Sequence, residues 1–273
     1  MDIAKIICLA TLSALLAACV SPAPLQSLKP SHANNTDYVL ARAPVLEQTN
    51  HVFQHLDKEK SVVYFQPFGG SLAAGVLFGA LGAAANVAVV ESNTMKDVAQ
   101  LRDRIPLRPT EIFTEVARKS QLKLHANSEG KILGITPYLQ VQKTEDASLL
   151  LSTVIIIEQN TGKEKWTGKY MFQLPVKYSI PELAQLNVDG ASKLRLEVAQ
   201  GFTKLVSYIQ SESPEQLAQE EKIKFKSTFL SPQFDFEMDG ALVSEESDVV
   251  WIRTFSGVYA IRKPFITWST KKA

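Results

Sequence analysis

An almost uninterrupted apolar run between residues 149 and 157 constrains the fold of this chain more than any other segment. It reads LLLSTVIII, in which only Ser152 and Thr153 are polar. Because such a strand must be covered on both faces, we expect it at the centre of a sheet. Asn160-Thr161-Gly162 then predicts a turn. The return strand alternates, and its inward side chains are expected to be Trp166, Tyr170, Phe172 and Leu174.

The strongest helical pattern follows this hairpin, between residues 191 and 209. Its apolar positions recur at steps of four, four, three and four, which favours an amphipathic helix packed across the sheet. They are Leu194, Val198, Phe202, Leu205 and Ile209. Further strands are predicted at residues 61–65 and 132–141, and short helices at residues 95–104 and after Pro109, with Thr110 as the N-cap.

The chain changes character after Pro214, because the remaining apolar segments have the length and alternation of short strands. We therefore predict a small antiparallel β module at residues 213–273, with an SH3-like barrel as one form of it. The predicted fold class is α+β, in which an α/β domain at residues 59–212, built on a mixed sheet with packed helices, precedes this module.

The N-terminus carries an apolar run, residues 6–18, that follows Lys5 and is too short for a retained membrane-spanning helix. It ends in Leu16-Ala17-Ala18-Cys19, which resembles the lipobox of bacterial lipoproteins. The resemblance implies a signal peptide at residues 1–18 and a membrane anchor of fatty acyl chains on Cys19. The alternative is an ordinary signal peptide in which Cys19 has no role. Val20, where an aspartate would retain a lipoprotein at the inner membrane, favours the periplasmic face of the outer membrane.

Residues 19–58 are expected to form a flexible tether that ends in a short helix at residues 38–58. Glu47, His51 and His55 follow one another at steps of four, which is a metal-ligand spacing on a helix. A solvated polar face is the other interpretation of this spacing. We adopt it, because the glutamate that zinc peptidases place beside the first histidine is missing.

Residues 68–90 form an uncharged segment rich in glycine and alanine. On a helix, four small residues would share one face and allow close packing: Ser71, Gly75, Gly79 and Gly82. Three interpretations remain open at this point. The segment is a helix buried within the domain, a segment in or against the membrane, or a contact between subunits.

The sequence predicts no catalytic residue, metal site or cofactor. Asp235, Glu237, Asp239 and Glu246 have the spacing of a calcium loop, but their neighbours alternate as in strands. His125 has no partner that the sequence identifies. The two cysteines are Cys8, within the signal peptide, and Cys19, so no disulfide is expected. A net charge of +1 gives no reason to expect nucleic acid as a partner.

The hairpin sequence VIIIEQNTGKEKWTGKY resembles envelope lipoproteins of the curli-secretion type. The resemblance is carried by the apolar strand up to Ile157, by Thr161-Gly162 and by Trp166. It implies an α/β sandwich that serves envelope assembly or secretion. We therefore expect a non-catalytic interaction or assembly module with an envelope protein as its partner. The alternatives are a lipoprotein that oligomerises in or at the membrane through residues 68–90, and an envelope hydrolase whose site the sequence does not reveal.

Overall fold

The structure, a computed structural model, describes residues 24–30, 37–50, 52–67, 72–125, 133–161, 164–232 and 235–270. Within residues 72–86, 160–161 and 164 only the backbone is described. The helices are α1 (Leu72–Leu101), α2 (Pro109–Lys119), α3 (Ile180–Ala184), α4 (Val188–Ser211) and α5 (Pro214–Gln219). Two 3-10 helices cover Pro44–Glu47 and Lys263–Phe265.

Twelve strands form one mixed sheet, so the α+β class predicted from the sequence is confirmed. The main path through the sheet runs β12-β8-β9-β10-β11-β7-β6-β5-β1-β4, while β3 pairs with β5 and β2 with β3. The strands are β1 (Tyr38–Leu40), β2 (Phe53–His55), β3 (Val62–Phe65), β4 (Leu124–His125), β5 (Leu133–Lys143), β6 (Leu149–Thr161), β7 (Glu164–Tyr178), β8 (Glu221–Ser227), β9 (Met238–Glu245), β10 (Val249–Thr254), β11 (Gly257–Arg262) and β12 (Ile266–Thr270).

The predicted central hairpin is confirmed. β6 pairs antiparallel with β5 on one side and with β7 on the other. Every residue from Leu149 to Ile157 is buried. The apolar run of the sequence is therefore a consequence of complete burial on both faces of β6.

The two faces of β6 are covered by different parts of the chain. On one face, α2 and α4 contribute Phe113 and Phe202, whose rings meet edge to face at 5.6 Å. On the other face, the C-terminal strands contribute residues such as Phe225 and Ile252 to a cluster that contains Val154 and Ile156 of β6. The sheet therefore coils so that its C-terminal strands pack over its own centre.

The C-terminal strands continue the main sheet, because β11 pairs in parallel with β7, with Val258 opposite Tyr170. Among themselves β8 to β12 pair antiparallel, as predicted. The SH3-like form of this module is not confirmed. The coiled sheet also explains why Gln173 is fully buried, although it alternates with Phe172 and Leu174, which were predicted to face inward. Its side-chain oxygen accepts a hydrogen bond from Arg262 N at 3.0 Å.

Several local predictions are wrong. Residues 38–58 contain β1, a 3-10 turn and β2 in place of a helix, because their backbone pairs with β4, β5 and β3. The predicted flexible tether is fixed to the body at residues 24–30, as described below. The helix predicted at residues 95–104 is the end of the longer α1, and α2 begins at Pro109 with Arg108 as its N-cap, so Thr110 is not the cap.

Candidate functional site

A buried ionic cluster lies where the end of α4 meets β10. Arg253 Nη1 lies 3.0 Å from Glu212 Oε1, and Arg253 Nη2 lies 2.8 Å from Glu220 Oε1. The side chains of Arg253 and Glu212 are each 1% exposed. Arg253 Nε also donates to Glu220 Oε2 at 2.8 Å, so the guanidinium binds this carboxylate through two nitrogens. This geometry compensates the cost of burying three charges.

Two tyrosines complete the ionic cluster. Tyr170 Oη donates to Glu212 Oε2 at 2.9 Å, and Tyr208 Oη accepts from Arg253 Nη2 at 2.8 Å. The ring of Tyr208 stacks on Trp251 with 4.9 Å between centroids. Burial raises the pKa of Tyr170 well above its ordinary value, so its hydroxyl keeps the proton that it donates.

The ionic cluster holds the N-terminal segment, residues 24–30, against the body. The carbonyl oxygen of Gln26 accepts from Arg253 Nη1 at 3.2 Å, and its amide nitrogen donates to Thr254 O at 2.7 Å. Its side-chain oxygen accepts from Lys169 N at 2.8 Å. Lys29 Nζ donates to Ile209 O, and burial lowers the pKa of Lys29. The chain is therefore fixed to the body only a few residues after Cys19.

The turn between β10 and β11, residues 254–257, presents an aromatic ring beside this segment. Phe255 lies in this turn and is 65% exposed. Ser256 N donates to Thr254 Oγ1 at 3.1 Å, and the Ser256 and Tyr259 hydroxyls lie 2.9 Å apart. The turn is thus held by its own polar groups, while the Phe255 ring faces solvent.

A second set of buried polar side chains attaches the end of α1 to the sheet. Tyr64 Oη and Lys143 Nζ donate to Asp97 Oδ2 at 2.6 Å and 2.5 Å. Further towards the start of α1, residues 87–89 are all exposed, with Val87 at 42% and Val89 at 49%. Val90, the next residue, is buried, so residues 87–89 form the exposed side of α1 at this point.

The predicted small-residue ridge lies on this part of the chain. Ser71 is outside the described residues, and Gly75, Gly79 and Gly82 lie on α1 where only the backbone is described. Cys19 is also outside the described residues. Within the part of the chain that the structure describes, no helix is long and apolar enough to cross a membrane.

Acidic residues of the histidine and calcium-loop patterns form ion pairs with lysine or arginine side chains. Glu47 binds Arg42 and Lys60, at 2.7 Å and 2.9 Å, while His51 is outside the described residues. His55 lies in β2 beside a cleft of about 250 Å³ that Lys58 and Arg102 also line. Burial lowers the pKa of His55, and the positive charge of Lys60 lowers it further.

Three of the four acidic residues of the calcium pattern form ion pairs with lysines. Asp235 binds Lys226, Asp239 binds Lys224 and Glu246 binds Lys204, at 2.9, 3.0 and 2.8 Å. Because β9 begins at Met238, Asp235 and Glu237 precede the strand on which they were predicted. His125 lies 3.5 Å from Asp37. Across the described ranges no three histidine, cysteine or acidic side chains are grouped as a metal site would require.

Sequence reasoning missed the ionic cluster, although one signal was available. Arg253 follows Val249-Val250-Trp251-Ile252, so it is a single charge in an otherwise apolar strand. A charge in such a strand must be paired when the strand is buried. The partners, Glu212 and Glu220, belong to polar segments of the sequence, and nothing local to them indicates burial.

Comparison with known proteins identifies no family. No protein-family model matches the chain, and no curated protein matches it. A solved structure described as "Crystal structure of uncharacterized protein" is similar over 70% of this chain and 94% of that chain, at 11% identity and a TM-score of 0.22. This similarity is too low to support an argument about fold or function.

Proposed function

We propose that this protein is anchored by acyl chains on Cys19 to the periplasmic face of the outer membrane. Its body would act there as a non-catalytic module that binds another envelope protein. The resemblance of Leu16-Ala17-Ala18-Cys19 to a lipobox supports the anchor. The uncharged start of α1 supports the proposal that the body binds another envelope protein. This observation is the main support for the proposed function.

The anchor would hold the body close to the bilayer. Pro24, the first described residue, is five residues from Cys19. A fully extended chain of five residues spans about 17 Å, so the body has little freedom to move away from the membrane. This short connection keeps the body at the membrane.

α1 is the element best suited to that partner. It extends over 30 residues, and no charge occurs between Phe65 and Val90. Its last turns are attached to the body through Asp97, whereas Val87 and Val89 are exposed. Exposed apolar surface of this kind typically marks a site of protein or membrane contact.

The membrane that holds Cys19 is the less favoured target of α1. Asp97 of α1 lies near the end of β7, because it binds Lys143 of β5. Lys143 lies opposite Leu149 of β6, and Leu149 lies opposite Tyr178 of β7. The N-terminal segment binds the other end of β7, where Trp166 Nε1 donates to Ser27 Oγ at 3.1 Å. The twelve residue steps from Trp166 to Tyr178 span about 40 Å along the strand, so the end of α1 that Asp97 attaches lies far from the N-terminal segment.

Site-directed photo-crosslinking in the producing bacterium tests this function. A photoreactive residue at Val89 should give an adduct with a second envelope protein, whereas one at Leu196, which is also exposed, should not. An adduct with another copy of this chain would instead support the oligomer. The same adducts at both positions, or none at Val89, would contradict a specific role of α1.

A further inference from the structure

We propose that the end of the sheet that carries Phe255 is a lipid-docking face, and that Phe255 enters the headgroup region of the bilayer. The docking face comprises the turn at residues 254–257 and the adjacent residues 165–167 of β7. This inference rests on the proposed lipid anchor at Cys19.

The path of the chain brings this face to the membrane. Gln26 N donates to Thr254 O at 2.7 Å, so the N-terminal segment leaves the body beside the turn that holds Phe255. Only residues 20–23 separate Cys19 from Pro24, the first described residue. With a reach of about 17 Å, they cannot place a bound bilayer far from this face.

The register of the sheet joins the turn to β7. β11 runs parallel to β7 with Val258 opposite Tyr170, and Thr254 lies opposite Gly257, so the chain reverses close to Gly168 and Lys169, and residues 165–167 of β7 extend beyond the turn. A Cβ on Gly257 would lie 2.7 Å from Lys169 O, which shows how closely the turn approaches β7. Phe255 is therefore presented on a rigid support, because the hydrogen bonds of Thr254 and Ser256 fix the turn.

The chemistry of the face suits the boundary between headgroups and acyl chains. Phe255 offers an exposed ring, and Lys165, near the start of β7, is exposed. Trp166 is half-buried, with its indole nitrogen bonded to Ser27. Aromatic rings are enriched at this depth of a membrane, and lysine stems lie along apolar surface while their amino groups reach the phosphates. A contact of this face with lipid that is too weak to hold the protein by itself becomes populated, because the short connection to Cys19 raises its effective concentration.

The most exposed large apolar side chain elsewhere provides a matched control. Val188, at the start of α4, is 82% exposed. The twenty residue steps along α4 from Val188 to Tyr208, a contact of Arg253, span about 30 Å. Val188 thus has the exposure but not the location of the docking face.

The test uses the mature lipidated protein in vesicles of phosphatidylethanolamine and phosphatidylglycerol with nitroxide-labelled headgroups. The only other cysteine of the mature chain is Cys19, which the proposed acylation blocks, so one introduced cysteine takes the dye. Thr167→Cys places the dye at the docking face, and Val188→Cys places it at the control position; both residues are exposed.

We expect the dye at position 167 to be strongly quenched and the dye at position 188 to keep its fluorescence. Adding Phe255→Ser to Thr167→Cys should reduce the quenching to the control level, with an unchanged melting temperature. Equal quenching at both positions, or no effect of Phe255→Ser, in vesicle-bound protein would overturn the docking face. Quenching at position 167 that occurs only when envelope proteins are added would also overturn the docking face. Protein that does not float with the vesicles would show that the anchor itself fails.

Discussion

Arg253 Nη1 lies 3.0 Å from Glu212 Oε1, and both side chains are withdrawn from solvent. The two residues come from different layers, since Arg253 lies near the end of β10 and Glu212 caps the C-terminus of α4. The same guanidinium also binds Gln26 O. One buried pair thus joins the sheet, α4 and the N-terminal segment that leads to Cys19.

Replacement of Arg253 by methionine should destabilise the protein by about 3–5 kcal/mol, because it leaves Glu212 and Glu220 buried without a cation. Urea unfolding measures this change. Arg195→Met is the control, since its ion pair with Glu115 is exposed and should be worth less than about 1 kcal/mol. A similar loss of stability in both variants would show that Arg253 has no special role.

Gly201→Ala should destabilise the protein, although this change normally stabilises a helix by up to about 1 kcal/mol. A Cβ on Gly201 would lie 2.6 Å from Thr153 Oγ1 and 3.0 Å from Leu174 Cδ2, where α4 crosses β6. Thermal unfolding should give a lower midpoint than the wild type. An increase would show that α4 can move away from the sheet at little cost.

Lys169 should make stability depend on pH in alkaline solution. Burial lowers the pKa of Lys169 to about 8, below the value of about 10.4 expected in the unfolded chain. The unfolded state then binds more protons between these values, so stability should rise as pH increases from about 8 to about 10.4. Lys169→Met should lose this part of the slope. An identical slope in denaturant titrations of both proteins would exclude Lys169 as its source.

Ile156→Ala should cost about 2–5 kcal/mol, the usual range for a filled core position. Ile156 lies on β6 in the cluster that the C-terminal strands cover. Denaturant unfolding should therefore show a large loss of stability. A change below about 0.5 kcal/mol would contradict the tight packing of the coiled sheet over β6.

The centre of the fold was predictable because its causes are local. The apolar run in β6 and the apolar positions of α4 each record burial within one continuous segment. The hairpin of β6 and β7 was predicted as well, but Asn160 and Thr161 extend β6, and Gly162 lies outside the described residues.

Features that depend on distant partners could not be predicted in this way. The pairing of β11 with β7 joins residues about ninety positions apart, and it decides that the C-terminal strands extend the main sheet. Residues 24–30 have the composition of a tether, yet Arg253 and Lys169 fix Gln26 to the body. The ionic cluster was missed for the same reason.

Mass spectrometry of the mature protein tests the central claim, the lipid anchor, most directly. We predict an N-terminal peptide that begins at Cys19 and carries fatty acyl chains, and loss of this species in Cys19→Ser. Two or three chains give stable anchoring, whereas one chain gives only marginal binding, so the number of chains is part of the result. A mature chain that begins at another residue, or an unmodified Cys19 in membrane-bound protein, would contradict the account.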